Sequence, residues 1–358
     1  MTLRQAPDQE AAATEDGTRR VRDRLRAASL TPFGLYGAAV LRIGVAGLFL
    51  LNLLREAGHA DRLWGPGSPY TPDLFRASVE AHGADGRMSW WYTWLGTQSP
   101  DYFWAAYVLA VAVSVLYLLG WHTRLMAVLF AFVVAGFHMR SAVAASGFEL
   151  LSLLFANYLV LCASGRRWSL DARRVARATP GPVTPYEELR RRVVTVLHNT
   201  GMALIAFQVM VVYGTAALYK IRGSTWRDGS ALHYALRLDD FVTFPELSHW
   251  LAAQGSGMAL LAYVTVASQL LFPVLVFIPR LKYAVLVVTL GTHLGIGLLM
   301  ALPMFSAITV VGDLVFLPTS FWLRAARAAR AARAARAARA ARAARAARLL
   351  GWPRSKRQ

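Results

Sequence analysis

The sequence predicts an all-α fold, a polytopic membrane helical bundle with about eight transmembrane helices. Three observations lead there. Apolar residues make up 56% of the 358 and gather in runs of about 20, the length that crosses a hydrocarbon core of roughly 30 Å. Basic residues crowd into alternate connecting segments, the asymmetry that orients spans in a membrane. The first thirty residues are charged and lack the apolar stretch of a cleavable signal peptide, so the first span is expected to stay in the mature chain.

The apolar runs place spans at 35–54, 102–120, 125–145, 148–164, 193–219, 257–277, 283–302 and 304–323. With the N-terminus inside, the inner segments carry 29 of the 39 basic residues and the outer segments nine, with Arg42 within the first span. Both termini are therefore expected in the cytoplasm of a multi-pass cell-membrane protein, with outer loops at 55–101 and 220–256. Three regions follow: a polar cytoplasmic start at 1–32, a transmembrane domain at 33–323, and a cytoplasmic tail at 324–358.

The net charge of +19 does not point to nucleic acid. The twelve positive charges beyond Leu323, with no negative ones, leave +7 for the rest (19 − 12 = 7). The bilayer and anionic lipids at the cytoplasmic face are the expected partners. The single cysteine, Cys162, rules out an internal disulfide.

Within 1–32, residues 18–28 have a helical pattern suited to the membrane surface. In the first span Arg42 is a cation at membrane depth and needs a partner. Asp313 in the last span lies at comparable depth, so an Arg42–Asp313 ion pair joining first helix to last is the structural expectation. The outer loop holds Trp64, Tyr70, Trp90, Trp91, Tyr92 and Trp94, read either as a headgroup-level aromatic belt or as a lid. Gly-Trp-His-Thr-Arg at 120–124 is an inner turn. His138, Arg140 and Glu149 meet at the next outer turn, three ionisable groups that suggest a shared site. Gly-Arg-Arg-Trp-Ser-Leu-Asp-Ala-Arg-Arg at 165–174 marks the inner face, and no glycine-rich phosphate loop occurs.

The fifth span carries His198, Asn199 and Gln208 and ends on Tyr-Lys-Ile-Arg-Gly-Ser-Thr-Trp-Arg-Asp-Gly, 219–229. Lysine is scarce, with only Lys220, Lys282 and Lys356 among the 39 basic residues. A lysine kept at a span's end can do what arginine cannot, losing its proton on burial and acting as a base. It can also simply snorkel to the headgroups. The outer loop after it mixes His233, His249, Asp228, Asp239 and Asp240 without a tight ligand spacing, so no metal site is expected. A short amphipathic helix is expected at 228–238. His293 falls near mid-membrane in the seventh span and must face other helices or a cavity. From Ala325 the tail repeats Ala-Ala-Arg eight times; each repeat turns a helix by about 300°, so no apolar face forms.

Taken in order, Arg42, Gly-Trp-His-Thr-Arg-Leu at 120–125, Gly-Arg-Arg-Trp-Ser-Leu-Asp at 165–171, the Lys220 segment, His293 and Gly-Asp-Leu-Val-Phe-Leu-Pro at 312–318 resemble the bacterial HTTM (horizontally transferred transmembrane) family over roughly residues 33–320. The same domain forms the membrane part of vitamin K-dependent gamma-glutamyl carboxylase. There a lysine at the outer end of a membrane helix, followed by a tryptophan, serves as the base that deprotonates reduced vitamin K. Lys220 with Trp226 looks like that pair, and His293 looks like the family's histidine in the penultimate span. Where family members have an Asn-Gly-Gly-Asp-like run, this chain has Ala-Ser-Gly-Phe-Glu at 145–149, and Glu149 keeps the acid.

The resemblance implies Lys220, His293, His138 and Glu149 as catalytic candidates, Trp226 as a contact for the ring, and a reduced quinone as the reactant. Two readings stand. One is a carboxylase-like enzyme acting on a quinol-like lipid at the outer leaflet. The other is a non-enzymatic membrane protein that assists maturation of, or immunity to, a secreted peptide, or a transporter.

Overall fold

A computed structural model describes residues 19, 22–23, 30–81, 93–140, 146–179 and 184–349, with side chains up to 342. Most of the 18–28 segment and Trp90, Trp91 and Tyr92 lie outside the described residues. The described chain is helical, with α1 Leu35–Arg55, α2 Pro72–Ala81, α3 Pro100–Leu119, α4 Thr123–Arg140, α5 Gly147–Leu161, α6 Leu170–Arg177, α7 Pro185–Arg222, α8 Pro245–Ala252, α9 Gly255–Leu275, α10 Lys282–Leu299, α11 Pro303–Asp313 and α12 Thr319–Leu349. Six of these are long and apolar enough to cross a membrane, or seven if the pair broken around Pro318 counts as one span. This is a multi-pass membrane helical bundle.

Local sequence sets the ends. Ser99 caps α3 and Pro100 follows it, Thr184 caps α7 before Pro185, and Ser146 with Glu149 closes a reciprocal capping box on α5. The apolar run alone placed the fifth span at 193–219. The helix begins eight residues earlier at the Thr184-Pro185 signal and runs 38 residues, about 57 Å at 1.5 Å per residue and well beyond a bilayer core. The eighth expected span, 304–323, is interrupted: α11 stops at Asp313, a 3-10 turn covers Leu314–Phe316, and Pro318 precedes α12.

The chain forms two units, Met1–Phe316 and Leu317–Gln358. In the first, α1 packs on α3, α5 and α11, and α5 in turn packs on α4 and α7. Helices α9 and α10 continue the bundle beside α7. Connections alternate between two ends. The near end, where α1 begins, gathers 120–122, 162–179 and 276–281; the far end gathers 56–81, 93–99, 223–254 and 300–302. The buried aromatics Phe49, Phe130, Phe137, Trp64 and Tyr107 form one packed group toward the far end. Trp64 is thus a core anchor, and Trp94, partly buried, stacks on Phe132 at 5.1 Å. In the second unit, α12 carries the Ala-Ala-Arg repeat, and its arginines from Arg324 to Arg342 are all exposed.

Candidate functional site

The buried residues of α7 form one stripe: His198, Met202, Ile205, Val209, Tyr213 and Ala217. Steps of three and four keep one helix face inward, and Lys220, three residues past Ala217, continues it. Its side chain is partly buried rather than directed to lipid. The Lys220 Nζ donates to the Gln269 side-chain oxygen of α9 at 3.0 Å and lies 5.2 Å from the centre of the Trp226 ring. Among the described residues no carboxylate lies within 4 Å of it. Gln269 is itself buried in the face that α9 turns inward. Trp226 sits on the short helix Ser224–Arg227, just beyond the end of α7.

His293 on α10 is 4% exposed and lies close enough to Lys220 for the two to repel as cations. Neither of its ring nitrogens has a hydrogen-bond partner among the described residues. Buried polar atoms are paired in the great majority of cases, which makes this ring an exception. The Tyr213 ring lies 6.0 Å away, and its hydroxyl donates to both carboxylate oxygens of Asp313, at 3.0 and 2.8 Å. Lys220, Gln269, His293, Tyr213 and Asp313 thus follow one another inward from the far end of α7.

A family model described as the HTTM domain matches residues 84–322, well over half of the chain. The chain belongs to the HTTM-domain family. No curated protein and no solved structure matches it.

Inside the HTTM domain the expected site residues divide. Lys220, Trp226 and His293 lie together; His138 and Glu149 do not join them. Those two face each other across a narrow cleft between α4 and α5, lined also by Phe49, Trp64 and Ser152. Glu149 accepts from the backbone and hydroxyl of Ser146, at 2.8 and 2.7 Å, so its carboxylate is engaged in capping α5. Neither Lys220 nor His293 lines the cleft that His138 and Glu149 share.

The Arg42–Asp313 pair does not form. Side chains on a helix lean toward its N-terminus, so Arg42 reaches to the near end, where the carbonyls after α5 are free of helical partners. There Nη1 donates to the Ser164 carbonyl at 2.8 Å and Nη2 to the Trp168 carbonyl at 2.6 Å. Asp313 lies deeper and turns to Tyr213. At the far end Arg140, 1% exposed, donates to the carbonyls of Trp64, Tyr70 and Gly65 at 2.9, 2.9 and 3.0 Å. It fastens the 64–75 segment to α4 and takes no part in a site with His138.

The family-like motifs at 120–125 and 165–171 interlock at the near end of the HTTM domain. Asp171 accepts from the His122 and Thr123 amides and the Thr123 hydroxyl, at 3.0, 2.7 and 2.6 Å, so it caps α4 from another segment. Gly120 has φ 70°, and a Cβ there would lie 2.4 Å from Ser169 Cβ and 2.8 Å from Arg42 Nη1; both space and backbone require glycine. His198 accepts from the Ala163 amide at 3.2 Å and donates to the Phe33 carbonyl at 2.7 Å. Sequence reasoning singled out neither Gln269 nor Tyr213. The available signal was a polar side chain on a span's inward stripe.

Proposed function

We propose that this HTTM-domain protein is a membrane enzyme that takes a proton from a quinol-like lipid at the outer leaflet, with Lys220 as the base. The observation that carries the reading is Lys220 itself. It lies on the buried stripe of α7, and among the described residues its only hydrogen-bond partner is the neutral amide of Gln269 and no carboxylate is within 4 Å. Lysine works as a base where arginine does not. A quinol hydroxyl placed against Nζ would pass its proton to the amine, leaving a quinolate anion beside the ammonium. Trp226 offers a flat apolar wall for the ring, and the unpartnered nitrogens of His293 suit a second quinol oxygen. His138 and Glu149 are left out of this reading.

The protein is further proposed to lie in the cell membrane with both termini cytoplasmic, to contact anionic lipids there, and to bind no nucleic acid. The near end would then be the inner one and Lys220 would face outward. The proposed regions are the polar start 1–32, the transmembrane domain 33–323 and the tail 324–358.

The test is how much the purified full chain in nanodiscs speeds the oxidation of a reduced quinone by dissolved dioxygen, to quinone and hydrogen peroxide, a reaction that the quinolate anion undergoes faster than the neutral quinol, comparing wild type with Lys220→Arg. A positioned general base contributes roughly 10²–10⁴-fold, so the variant should lose at least about a hundredfold in rate while its unfolding midpoint stays put. An unchanged rate removes the base and favours the non-enzymatic reading of the chain.

A further inference from the structure

The largest cavity in the first unit lies at the near end, away from Lys220. It measures about 800 Å³ and opens between α6, the loop after α5 and the first turns of α7. Arg124, Arg166, Arg167, Arg190 and Arg191 line it. Two carboxylates share the lining, Asp171 and Glu187, so five positive charges face two negative ones and three are left over (5 − 2 = 3). Asp171 is committed to the α4 N-terminus through three hydrogen bonds. The ion pairs among the described residues involve none of the five arginines.

This gathering is imposed by the fold. Arg42, buried without exposure, clamps the Ser164–Trp168 turn from below and thereby sets Arg166 and Arg167. Arg167 lies over the Tyr36 ring at 5.5 Å, and Trp168 meets the same ring edge-on. Arg190 and Arg191 come from the part of α7 that precedes its apolar stretch. Burial first, and then repulsion from Arg124, Arg191, Arg167 and Arg190, push the Arg166 guanidinium down from the usual arginine value. Like charges held together at this density lower the stability of the fold unless an anion binds among them.

We propose that this cavity is a binding site for a polyanionic phosphate ester. Guanidinium forks match phosphate oxygens in pairs, and a phosphomonoester carries roughly −1.5 to −2 charges near neutral pH, so a ligand with two phosphoryl groups balances the surplus. A volume of about 800 Å³ is that of a small-molecule site rather than of a single ion. The site uses side chains and needs no glycine-rich loop. The inference sharpens the anionic-lipid reading given above by naming a built cavity, and it is independent of any role for Lys220.

The ligand's two sources, a lipid headgroup and a free phosphate ester, are separated by two arms. The first measures binding of inorganic pyrophosphate to the full chain in neutral detergent by calorimetry. The second compares the unfolding midpoint in nanodiscs containing cardiolipin, a lipid with two phosphate groups, with that in phosphatidylcholine. Each is run on wild type, on an Arg190→Gln/Arg191→Gln double variant, and on a tail control, Arg333→Gln/Arg336→Gln. Pyrophosphate binding weakened at least tenfold in the cavity variant and unchanged in the control assigns a free phosphate ester. A cardiolipin-dependent rise in midpoint, lost in the cavity variant and kept in the control, assigns a lipid headgroup. Equal losses in both variants reduce the effect to general attraction of a basic chain to an anionic surface and overturn the site, as does no response in wild type. If the double variant does not fold, Arg124→Gln alone takes its place with the same outcomes, and Arg190→Lys/Arg191→Lys should recover part of the affinity.

Discussion

Two arginines carry much of the connection between helices and loops. A buried guanidinium is costly unless its N–H groups find acceptors; both use neutral backbone carbonyls, Arg140 through all three of its nitrogens and Arg42 through its two Nη atoms, its Nε being left without a partner among the described residues. Arg42 takes the carbonyls of Ser164 and Trp168; Arg140 takes those of Trp64, Gly65 and Tyr70 and packs against the Phe75 ring at 5.3 Å. Loop carbonyls at helix ends are natural partners for a cation because they are not used within a helix. Removing one such arginine leaves buried acceptors stranded, at about 1–3 kcal/mol each. Arg140→Ala is therefore expected to lower stability by several kcal/mol and to expose the 64–75 segment. Limited proteolysis in nanodiscs should reveal early cleavage there, while Arg55→Ala, at an exposed ion pair with Glu56, should behave as wild type. Arg42→Lys is expected to fail as well, since one ammonium on a narrower head replaces a fork that spans two carbonyls.

Among the elements, α6 is the least self-sufficient, with eight residues and none buried. It is held by its flanks: Ser169 caps it, the Ser169 hydroxyl donates to the Gly165 carbonyl at 2.5 Å, and Asp171 grips the start of α4. The Asp171 carboxyl feels burial, which acts to raise its pKa, but hydrogen bonds from Thr123 and His122, with Arg174 nearby, outweigh this and hold it below the usual aspartate value. A depressed folded value gives stability that is present above the unfolded pKa of about 3.9 and is lost as pH falls through the folded one. Wild type should accordingly lose unfolding midpoint on acidification below about pH 4, whereas Asp171→Asn should start lower at neutral pH and change less over that range. Parallel curves for the two proteins would sink the assignment. Gly120→Ala tests the same knot by geometry, since it drives a methyl group into Ser169 and Arg42.

At the scale of the molecule, the apolar runs were legible in the sequence, and helices form at each of them, but six or seven rather than eight are long and apolar enough to cross a membrane, because Gly147–Leu161 is short and the last run breaks around Pro318. Depth along a helix was legible too; azimuth and partner were not. Arg42 and Asp313 have comparable depth, yet α1 aims Arg42 at the near end while α11 turns Asp313 to Tyr213. His138 and Glu149 share a turn with Arg140 in sequence but face a different groove from Lys220. Lys220 with Trp226 was readable because both lie within one short motif, whereas Gln269 comes from another helix and no spacing announces it. Orientation in the membrane follows from charge. The near-end segments hold the excess of arginine, which is the ground for the proposal that the near end is cytoplasmic. Cys162, the only cysteine, is buried, which leaves the wild-type chain dark to a membrane-impermeant maleimide. In that background Ser256→Cys at the far-end start of α9 should label in intact cells, and Ala178→Cys after α6 only once the membrane is permeabilised. The reverse pattern would turn the protein over and place Lys220 on the cytoplasmic side, where an outer-leaflet quinol could not reach it.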